Sequence, residues 1–317
     1  MAETTSTALM TLSMPFYPGK RPWATDTLFD PLMVDAEAYV KALSAEALGA
    51  APDFADVRVP AILVGGGIAT HMADGPLGVL LRSIRQSYVL EGEDGDVPEI
   101  TLRAHPGFVS ASTIDACRIG HVNRLRIDFA TGSETEAREL GRTFGPSTME
   151  ITQQVIGRFK LDLGFELLVG IPGQTTRSAV ASIDTTLKFG ATSVHLSEFC
   201  LPPTSALAQE RAGHTDEWRE LPLHRMPALE QRAEILANME ERLRDEGFTE
   251  YLPGEWALPG HESRYLQLRA AGLDVLGFGL GARTRFQGVG AENTTNLATY
   301  LESSADPTKC IAKTYAL

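Results

Sequence analysis

Cysteine is scarce in this 317-residue chain, which has three, Cys117, Cys200 and Cys310, spaced far apart. An odd number of widely separated cysteines argues against a disulfide framework, and the chain has no Cys-x2-Cys pair of the kind that binds zinc. Dispersed thiols of this kind are typical of the reducing cytoplasm. We therefore expect a cytoplasmic protein without a metal site.

Basic blocks and long apolar runs are also missing. The formal net charge of −13 disfavours general affinity for nucleic acid or for anionic membranes. No apolar stretch is long enough to span a bilayer, and Glu3 near the N-terminus argues against a secretory signal. We expect neither nucleic acid nor membrane as a partner, and the sequence does not indicate an oligomeric state.

Short apolar runs and helical patterns alternate along the first 200 residues. With 43% apolar and 22% charged residues, the chain can form a large globular core. Strands are predicted at 11–15, 61–65, 99–104, 123–129, 163–169 and 193–199, and helices at 35–48, 76–90, 147–157 and 176–189. Such a series indicates a parallel sheet with right-handed crossovers, either a partly closed β/α barrel or an open doubly wound sheet.

Three regions follow from this pattern. Residues 1–10 are predicted to be a flexible tail, residues 11–200 to form the β/α unit, and residues 201–317 to form an extension that packs on it. In the extension, a helix is predicted over 227–246, with Leu229, Leu236, Met239 and Leu243 on one face. The segment 201–225 is the candidate for a lid.

The run Gly65-Gly66-Gly67 directly follows the second predicted strand. Glycines at this position allow the backbone to approach a ligand closely, although a tight turn alone would also explain them.

Several longer motifs occur in one order along the chain: EITLRAHPG at 99–107, VNRLRI at 122–127, GFELLVGIPGQT at 164–175 and LGFGLGA at 276–282. This ordered set resembles the radical S-adenosylmethionine (SAM) branch that contains oxygen-independent coproporphyrinogen III oxidase and its heme-chaperone relatives. The resemblance implies a partial (β/α)6 TIM-like barrel with a C-terminal helical or irregular extension. It also implies that the C-terminal domain of this family is absent.

Three departures from the family pattern concern its iron–sulfur loop. The three cysteines of the family's Cys-x3-Cys-x2-Cys match Tyr17, Arg21 and Ala24. Because a four-iron cluster is held by thiolates, we expect no iron–sulfur cluster. Tyr17 and Trp23 then either fill the vacated space as packing residues or contact a ligand, with Tyr17 as an acid or base.

The SAM-binding positions are partly kept. The resemblance assigns contacts with SAM to Gly65, Gly66 and Gly67 and to three strand positions, which are Arg103, Ala130 and Glu166 here. Glu166 alone among these three keeps the chemical type of the family residue. The resemblance therefore implies SAM as the cofactor.

Period-two alternation on the fourth strand puts Arg124, Arg126 and Asp128 on the face opposite the apolar residues. Arg103 and His105 share a face on the third strand, and Glu166 interrupts an apolar fifth strand. Charges inside a barrel are costly unless they are paired or meet a ligand. The pattern fits either a structural ion-pair network or a pocket for SAM or an anionic small molecule.

Candidate catalytic residues are Tyr17, His105, Asp128, Glu166 and His195, since each can transfer a proton. A structural role for His195, with Glu198 as a mere neighbour, is equally compatible with the sequence. Three functions remain open. The first is a cluster-free, SAM-dependent methyl or alkyl transferase of specialised biosynthesis. The second is a retired homologue that binds a partner or ligand, and the third is a cofactor-free cyclase or lyase.

Overall fold

The structure is a computed structural model of the chain. It describes residues 6–17, 29, 34–71, 74–92, 95–140, 142, 146–157, 159–199 and 226–317. Arg21, Ala24, Trp23, Cys200 and the predicted lid 201–225 lie outside the described residues. No helix in these ranges has both the length and the apolar character needed to cross a membrane.

The strands begin with β1 (Ser6–Ser13), β2 (Val57–Val59), β3 (Ala61–Gly65), β4 (Val89–Leu90), β5 (Glu99–Ala104), β6 (Arg124–Ala130), β7 (Asp162–Val169) and β8 (Ser193–Glu198). The extension contributes β9 (Thr249–Leu252), β10 (Glu255–Ala257), β11 (Asp274–Phe278), β12 (Arg283–Phe286), β13 (Val289–Asn293) and β14 (Ile311–Ala316). All six predicted strands of the first 200 residues are present.

The α-helices are α1 (Ala36–Ala50), α2 (Asp74–Ser87), α3 (Ala111–Gly120), α4 (Glu134–Glu139), α5 (Pro146–Ile156), α6 (Thr176–Lys188) and α7 (Leu229–Asp245). They are followed by α8 (Arg264–Ala270), α9 (Leu297–Ser303) and α10 (Pro307–Cys310). Polar side chains begin several of them. Asp35 accepts a hydrogen bond from the backbone N–H of Ala38, and Thr175 accepts one from Ser178.

The sheet runs in the order β14-β13-β12-β11-β1-β3-β5-β6-β7-β8-β10-β9 and does not close on itself. Strands β1, β3, β5, β6, β7 and β8 pair in parallel, as βαβ connections require. The fold is therefore a mixed α/β partial barrel, as predicted. Ligands of such sheets bind at the C-terminal ends of the strands or inside the barrel.

Strand β1 is longer than the sequence indicated. It begins at Ser6, so residues 6–10 of the predicted flexible tail form the first half of a strand. Ala8 and Leu9 are fully buried because β1 has partners on both sides, pairing with β11 as well as β3. The apolar side chains of these residues favour burial over fraying.

The extension joins both edges of the barrel sheet. Strand β10 pairs antiparallel with β8, and β11 pairs parallel with β1. The connecting segment, which contains α8, must therefore pass from one edge to the other. It is held there by Glu99 of β5, whose carboxylate accepts hydrogen bonds from Ser263 Oγ at 2.8 Å and from the Arg264 N–H at 2.8 Å. Residues 258–273 thus cross the barrel at the N-terminal ends of its strands.

The buried face of α7 differs from the prediction at one end. Ile235, Met239 and Leu243 are buried, whereas Leu229 is 72% exposed. Leu229 is the first residue of the helix. Helical spacing identifies a face, but it does not indicate how far the neighbouring element extends along it.

The main core lies between the sheet and the helices. Leu125, Ile127 and Phe129 of β6 all belong to it and are at most 1% exposed. This places their neighbours Arg124, Arg126 and Asp128 on the opposite face, inside the barrel, as the alternation predicted.

Candidate functional site

Strand register brings the charged interior residues next to one another. Arg103 of β5 is opposite Arg126 of β6, and Glu166 of β7 is opposite His195 of β8. His195 is in turn opposite Glu255 of β10. Five ionisable side chains from five strands therefore meet on one interior surface.

These five residues form a continuous chain of ion pairs. Glu166 accepts hydrogen bonds from Arg103 Nη2 at 2.5 Å and from Arg126 Nε at 2.6 Å. Arg126 Nη2 and Nη1 then donate to the two oxygens of Glu255 at 2.8 and 3.2 Å. His195 Nδ1 lies 3.0 Å from Glu255 Oε1. We call this set, Arg103–Glu166–Arg126–Glu255–His195, the ion-pair chain.

The ion-pair chain shifts the pKa values of its carboxyl groups. Burial raises the pKa of Glu166, but the charges of Arg103 and Arg126 outweigh this effect and lower it to about 2. Burial likewise raises the pKa of Glu255, and His195 and Arg126 bring it below its ordinary value. Both carboxylates are therefore ionised at neutral pH, and each interior arginine is already paired within the protein.

Two nitrogens of the ion-pair chain, Arg103 Nε and His195 Nδ1, are buried without a hydrogen bond to any described residue. A buried donor without an acceptor costs about 1–3 kcal/mol. A ligand carboxylate beside Arg103 Nε would satisfy this donor and form a charge-assisted hydrogen bond.

A cavity of about 270 Å³ lies against the ion-pair chain. Its wall includes Gly66, Arg103, Glu166, His195 and Glu255. The remaining lining consists of two further arginines, one glycine, small hydroxyl residues, and apolar or aromatic residues: Arg124, Arg126, Gly164, Thr101, Ser193, Ser263, Leu63, Phe165, Tyr251, Tyr265 and Leu266. An apolar pocket with a few converging polar groups is the usual form of a small-molecule site.

The triple glycine lies beside the segment that matches the cluster loop. The N–H of Ile68 donates to the carbonyl of Phe16 at 2.7 Å, and the N–H of Met14 donates to Gly65. A Cβ on Gly67 would lie 2.4 Å from the Phe16 carbonyl oxygen, so only glycine permits this approach. Gly66 has φ +90°, a conformation that favours glycine, and it reaches the cavity wall.

The predicted residues Tyr17, His105 and Asp128 lie outside the cavity lining. The ring of Tyr17 packs edge-on against His105, with centroids 6.2 Å apart, and both residues are buried. Asp128 is 3% exposed and accepts a 2.7 Å hydrogen bond from Arg142 Nη2. The structure thus groups Glu166 and His195 with the cavity and separates these three from it.

Ala130 has an unusual backbone conformation, with φ +64°. It ends β6, where the β6–β7 register shifts between Asp128 and Ala130. Its side chain is an unreactive methyl group that packs with Leu140 and Ile171. Ala130 does not line the cavity.

Glu255 and Arg142 were missed by the sequence analysis. Glu255 follows the turn residue Gly254 in a three-residue strand, which is too short for a periodic signal. The sequence instead suggested Glu198 as a neighbour of His195, but Glu198 is exposed and the His195 contact is made by Glu255. The antiparallel pairing of β10 with β8 brings Glu255 to that place.

The chain shares sequence with heme chaperones and with a coproporphyrinogen oxidase. It is 24% identical over 277 residues to the heme chaperone HemW of Bacillus subtilis, covering 85% of this chain and 69% of that protein. It is 21% identical over 284 residues to the oxygen-independent coproporphyrinogen III oxidase of Escherichia coli, covering 84% of this chain and 58% of the oxidase. No family model matches.

A solved structure gives the same result at the level of the fold. The coproporphyrinogen III oxidase HemN of Escherichia coli, described as a radical SAM enzyme, superposes with a TM-score of 0.80 at 18% identity. The match covers 99% of this chain and 72% of that one. The chain is similar in sequence and in fold to the HemN and HemW branch of the radical SAM proteins. The resemblance inferred from its ordered motifs is confirmed.

Similarity to the HemN and HemW branch contradicts two predictions. The cluster-free, SAM-dependent methyl or alkyl transferase is wrong, because the relatives are heme chaperones and an oxidase that is a radical SAM enzyme. The expectation that the protein has no iron–sulfur cluster is contradicted by the same relatives. The predicted binding of SAM is compatible with these relatives.

The described residues of this HemN and HemW relative do not fit the three-cysteine ligand set of a four-iron cluster. Tyr17 supplies a phenol where the family has a thiolate, while Cys117 in α3 and Cys310 in α10 are buried elsewhere. Within the described ranges, no group of three or more His, Cys, Asp and Glu side chains could hold a metal ion. The unused Arg103 Nε, by contrast, suits the carboxylate of SAM.

Proposed function

We propose that this protein binds SAM in the barrel cavity, with the amino-acid end of SAM at Gly66, Arg103 and Glu166. The observation that carries the proposal is the buried, unused Nε of Arg103 on a wall that also holds Gly66. The amino-acid end of SAM has one carboxylate and one ammonium group. Arg103 and Glu166 present one charge of each sign on the same surface.

Charge balance favours a zwitterionic end over a simple anion. The arginines of the ion-pair chain already have carboxylate partners, so a multiply charged anion would have to displace Glu166 or Glu255. A zwitterion adds one charge of each sign and leaves the pairs intact. The sequence analysis suggested an anionic small molecule. We propose instead a ligand whose carboxylate is accompanied by an ammonium group.

The names of the relatives favour a tetrapyrrole as the second molecule. They include heme chaperones, a coproporphyrinogen III oxidase and an anaerobilin synthase. We propose that the protein handles a tetrapyrrole of this group, either as an enzyme or as a carrier. Absorbance titration with heme and anaerobic titration with coproporphyrinogen III test this part separately.

Isothermal titration calorimetry with SAM and S-adenosylhomocysteine tests the main proposal. We expect micromolar binding of SAM, weakened on the order of tenfold or more by Arg103→Gln, since a charge-assisted hydrogen bond contributes about 1.5–3 kcal/mol. Arg118→Gln is the matched control, because Arg118 is exposed on α3 and pairs with Asp115. No binding of either compound to the folded protein overturns the proposal, and equal affinity in Arg103→Gln removes Arg103 from the site.

A further inference from the structure

His195 is the most accessible side chain of the ion-pair chain, with 26% of its side chain exposed, and it lines the cavity. Its Nδ1 faces Glu255 Oε1 at 3.0 Å. The Nδ1–H direction deviates from the line to this oxygen, and hydrogen bonds of proton-transfer groups are commonly this loose before a ligand binds. No described residue forms a hydrogen bond with the other ring nitrogen, Nε2.

The surroundings of Glu255 determine which nitrogen of the neutral imidazole carries the proton. Arg126 donates to both oxygens of Glu255, and the carboxylate is ionised at neutral pH. An ionised carboxylate accepts hydrogen bonds and cannot donate one. Nδ1 of His195 must therefore carry the hydrogen, which leaves a lone pair on Nε2.

The charged and titratable groups around this imidazole come from β6, β7, β9 and β10. Glu166 is its register partner on β7, Arg126 extends from β6, and Glu255 lies on β10. The Tyr251 hydroxyl lines the same cavity, and burial together with the charge of Glu255 raises its pKa to about 12. The neutral Tyr251 hydroxyl is therefore a poor base, which leaves the Nε2 lone pair of His195 as a proton acceptor on this cavity wall.

We propose that His195 is the proton-transfer residue of the cavity and that Glu255 is its positioning residue. Nε2 accepts a hydrogen bond from an N–H or O–H group of the bound ligand. In a reaction, the proton passes to Nε2, the electron pair of the broken bond stays on the ligand atom, and Glu255 stabilises the imidazolium. The ligand must then present a donor, not an acceptor, at this position. The inference rests on the proposed binding of a ligand in the cavity.

Nitrogen-15 NMR of the histidine rings in the labelled protein tests the tautomer without any ligand. The His195 resonances are assigned by their loss in His195→Gln. We expect the Nδ1–H form for the neutral ring, and a shift toward the Nε2–H form in Glu255→Gln. Glu198→Gln, an exposed change on the same strand, should leave the tautomer unchanged. A neutral ring in the Nε2–H form in the wild-type protein overturns the inference.

Addition of SAM tests the contact itself. We expect saturating SAM to move the Nε2 resonance of His195, and His195→Gln to weaken SAM binding by about tenfold with the fold intact by circular dichroism. SAM that binds without moving this resonance overturns the role of His195 while the proposed function stands. If SAM does not bind, the proposed function fails, and the tautomer measurement alone decides the positioning by Glu255.

Discussion

The hydroxyl of Tyr300 donates a 2.6 Å hydrogen bond to Glu46 Oε2, although the two residues are 254 positions apart. Glu46, on α1, is 2% exposed and also accepts hydrogen bonds from Asn293 Nδ2 at 2.6 Å and from the Gly279 N–H at 2.8 Å. One carboxylate therefore connects the first helix to β13, to α9 and to the residue that follows β11. Burial raises the pKa of Glu46 despite these donors.

Replacement of Glu46 by alanine should lower the free energy of unfolding by about 3 kcal/mol or more, because it leaves three buried donors without an acceptor. Glu46→Gln should cost about 1 kcal/mol, since the amide oxygen still accepts from Tyr300 and Gly279. Urea denaturation measures both values. In a double-mutant cycle, Tyr300→Phe should cost less in the Glu46→Ala background than alone. Additive effects would contradict the shared role of Glu46.

The raised pKa of Glu46 has a definite effect on stability. A carboxyl whose pKa is higher in the folded state contributes stability below its unfolded pKa and loses it as pH rises through the folded pKa. Glu46→Gln should therefore flatten the decline in stability above about pH 4.5 relative to the wild-type protein. An unchanged pH dependence in denaturation curves between pH 4 and 8 would be inconsistent with this sign.

Glu166 has the opposite effect. Its folded pKa of about 2 lies below the ordinary value of 4.5, so its contribution is fully present above pH 4.5 and is lost as pH falls toward 2. Between pH 6 and pH 3 this one group should cost about 2 kcal/mol of stability, from 1.36 kcal/mol per pKa unit. Denaturation of Glu166→Gln at the same pH values should show a smaller decline than the wild-type protein shows. If the variant and the wild-type protein lose the same stability, the acid sensitivity comes from other carboxyl groups.

Arg103→Glu places a second carboxylate against Glu166. We expect a loss of stability of about 2–3 kcal/mol and a raised pKa of Glu166, because a partly buried ion pair becomes a like-charge contact. Arg103→Met keeps the length of the side chain without its charge, and it should cost less. Any ligand held through its carboxylate should bind Arg103→Glu more weakly than the wild-type protein. Unchanged affinity would place Arg103 outside the binding site.

Ala130→Gly should stabilise the protein. The left-handed backbone at φ +64° costs an alanine about 1–2 kcal/mol, and glycine avoids this cost while losing about 0.5–1 kcal/mol to the entropy of the unfolded chain. Loss of the buried methyl group offsets about 0.8 kcal/mol of this difference, so the expected net gain is at most about 0.5 kcal/mol in thermal or urea unfolding. Ala104→Gly on β5 is the comparison, since Ala104 is fully buried in the core and should lose stability. A larger loss of unfolding free energy for Ala130→Gly than for Ala104→Gly would contradict backbone strain at Ala130.

The alternation of apolar and polar residues, together with the glycines at turns, predicted much of the fold. The six parallel strands of the first 200 residues, the turn at Gly65–Gly67 and the interior positions of Arg103 and Arg126 all follow from local patterns. Such patterns succeed because the period of a strand and the conformational freedom of glycine are properties of neighbouring residues. The buried positions of Ala8 and Leu9 in β1 were missed, since their partners on β11 are more than 260 positions away along the chain.

The chemistry of the interior was decided by the tertiary structure. The sequence by itself determined which side chains face inward, because that choice depends on a two-residue period. It did not determine that Glu255 contacts Arg126 and His195, or that Asp128 pairs with Arg142 beyond the cavity. These partners meet only when β10 pairs with β8 and when the end of β6 shifts its register. Electrostatic interactions act across space, so the charge balance of the site exists only after distant segments have come together.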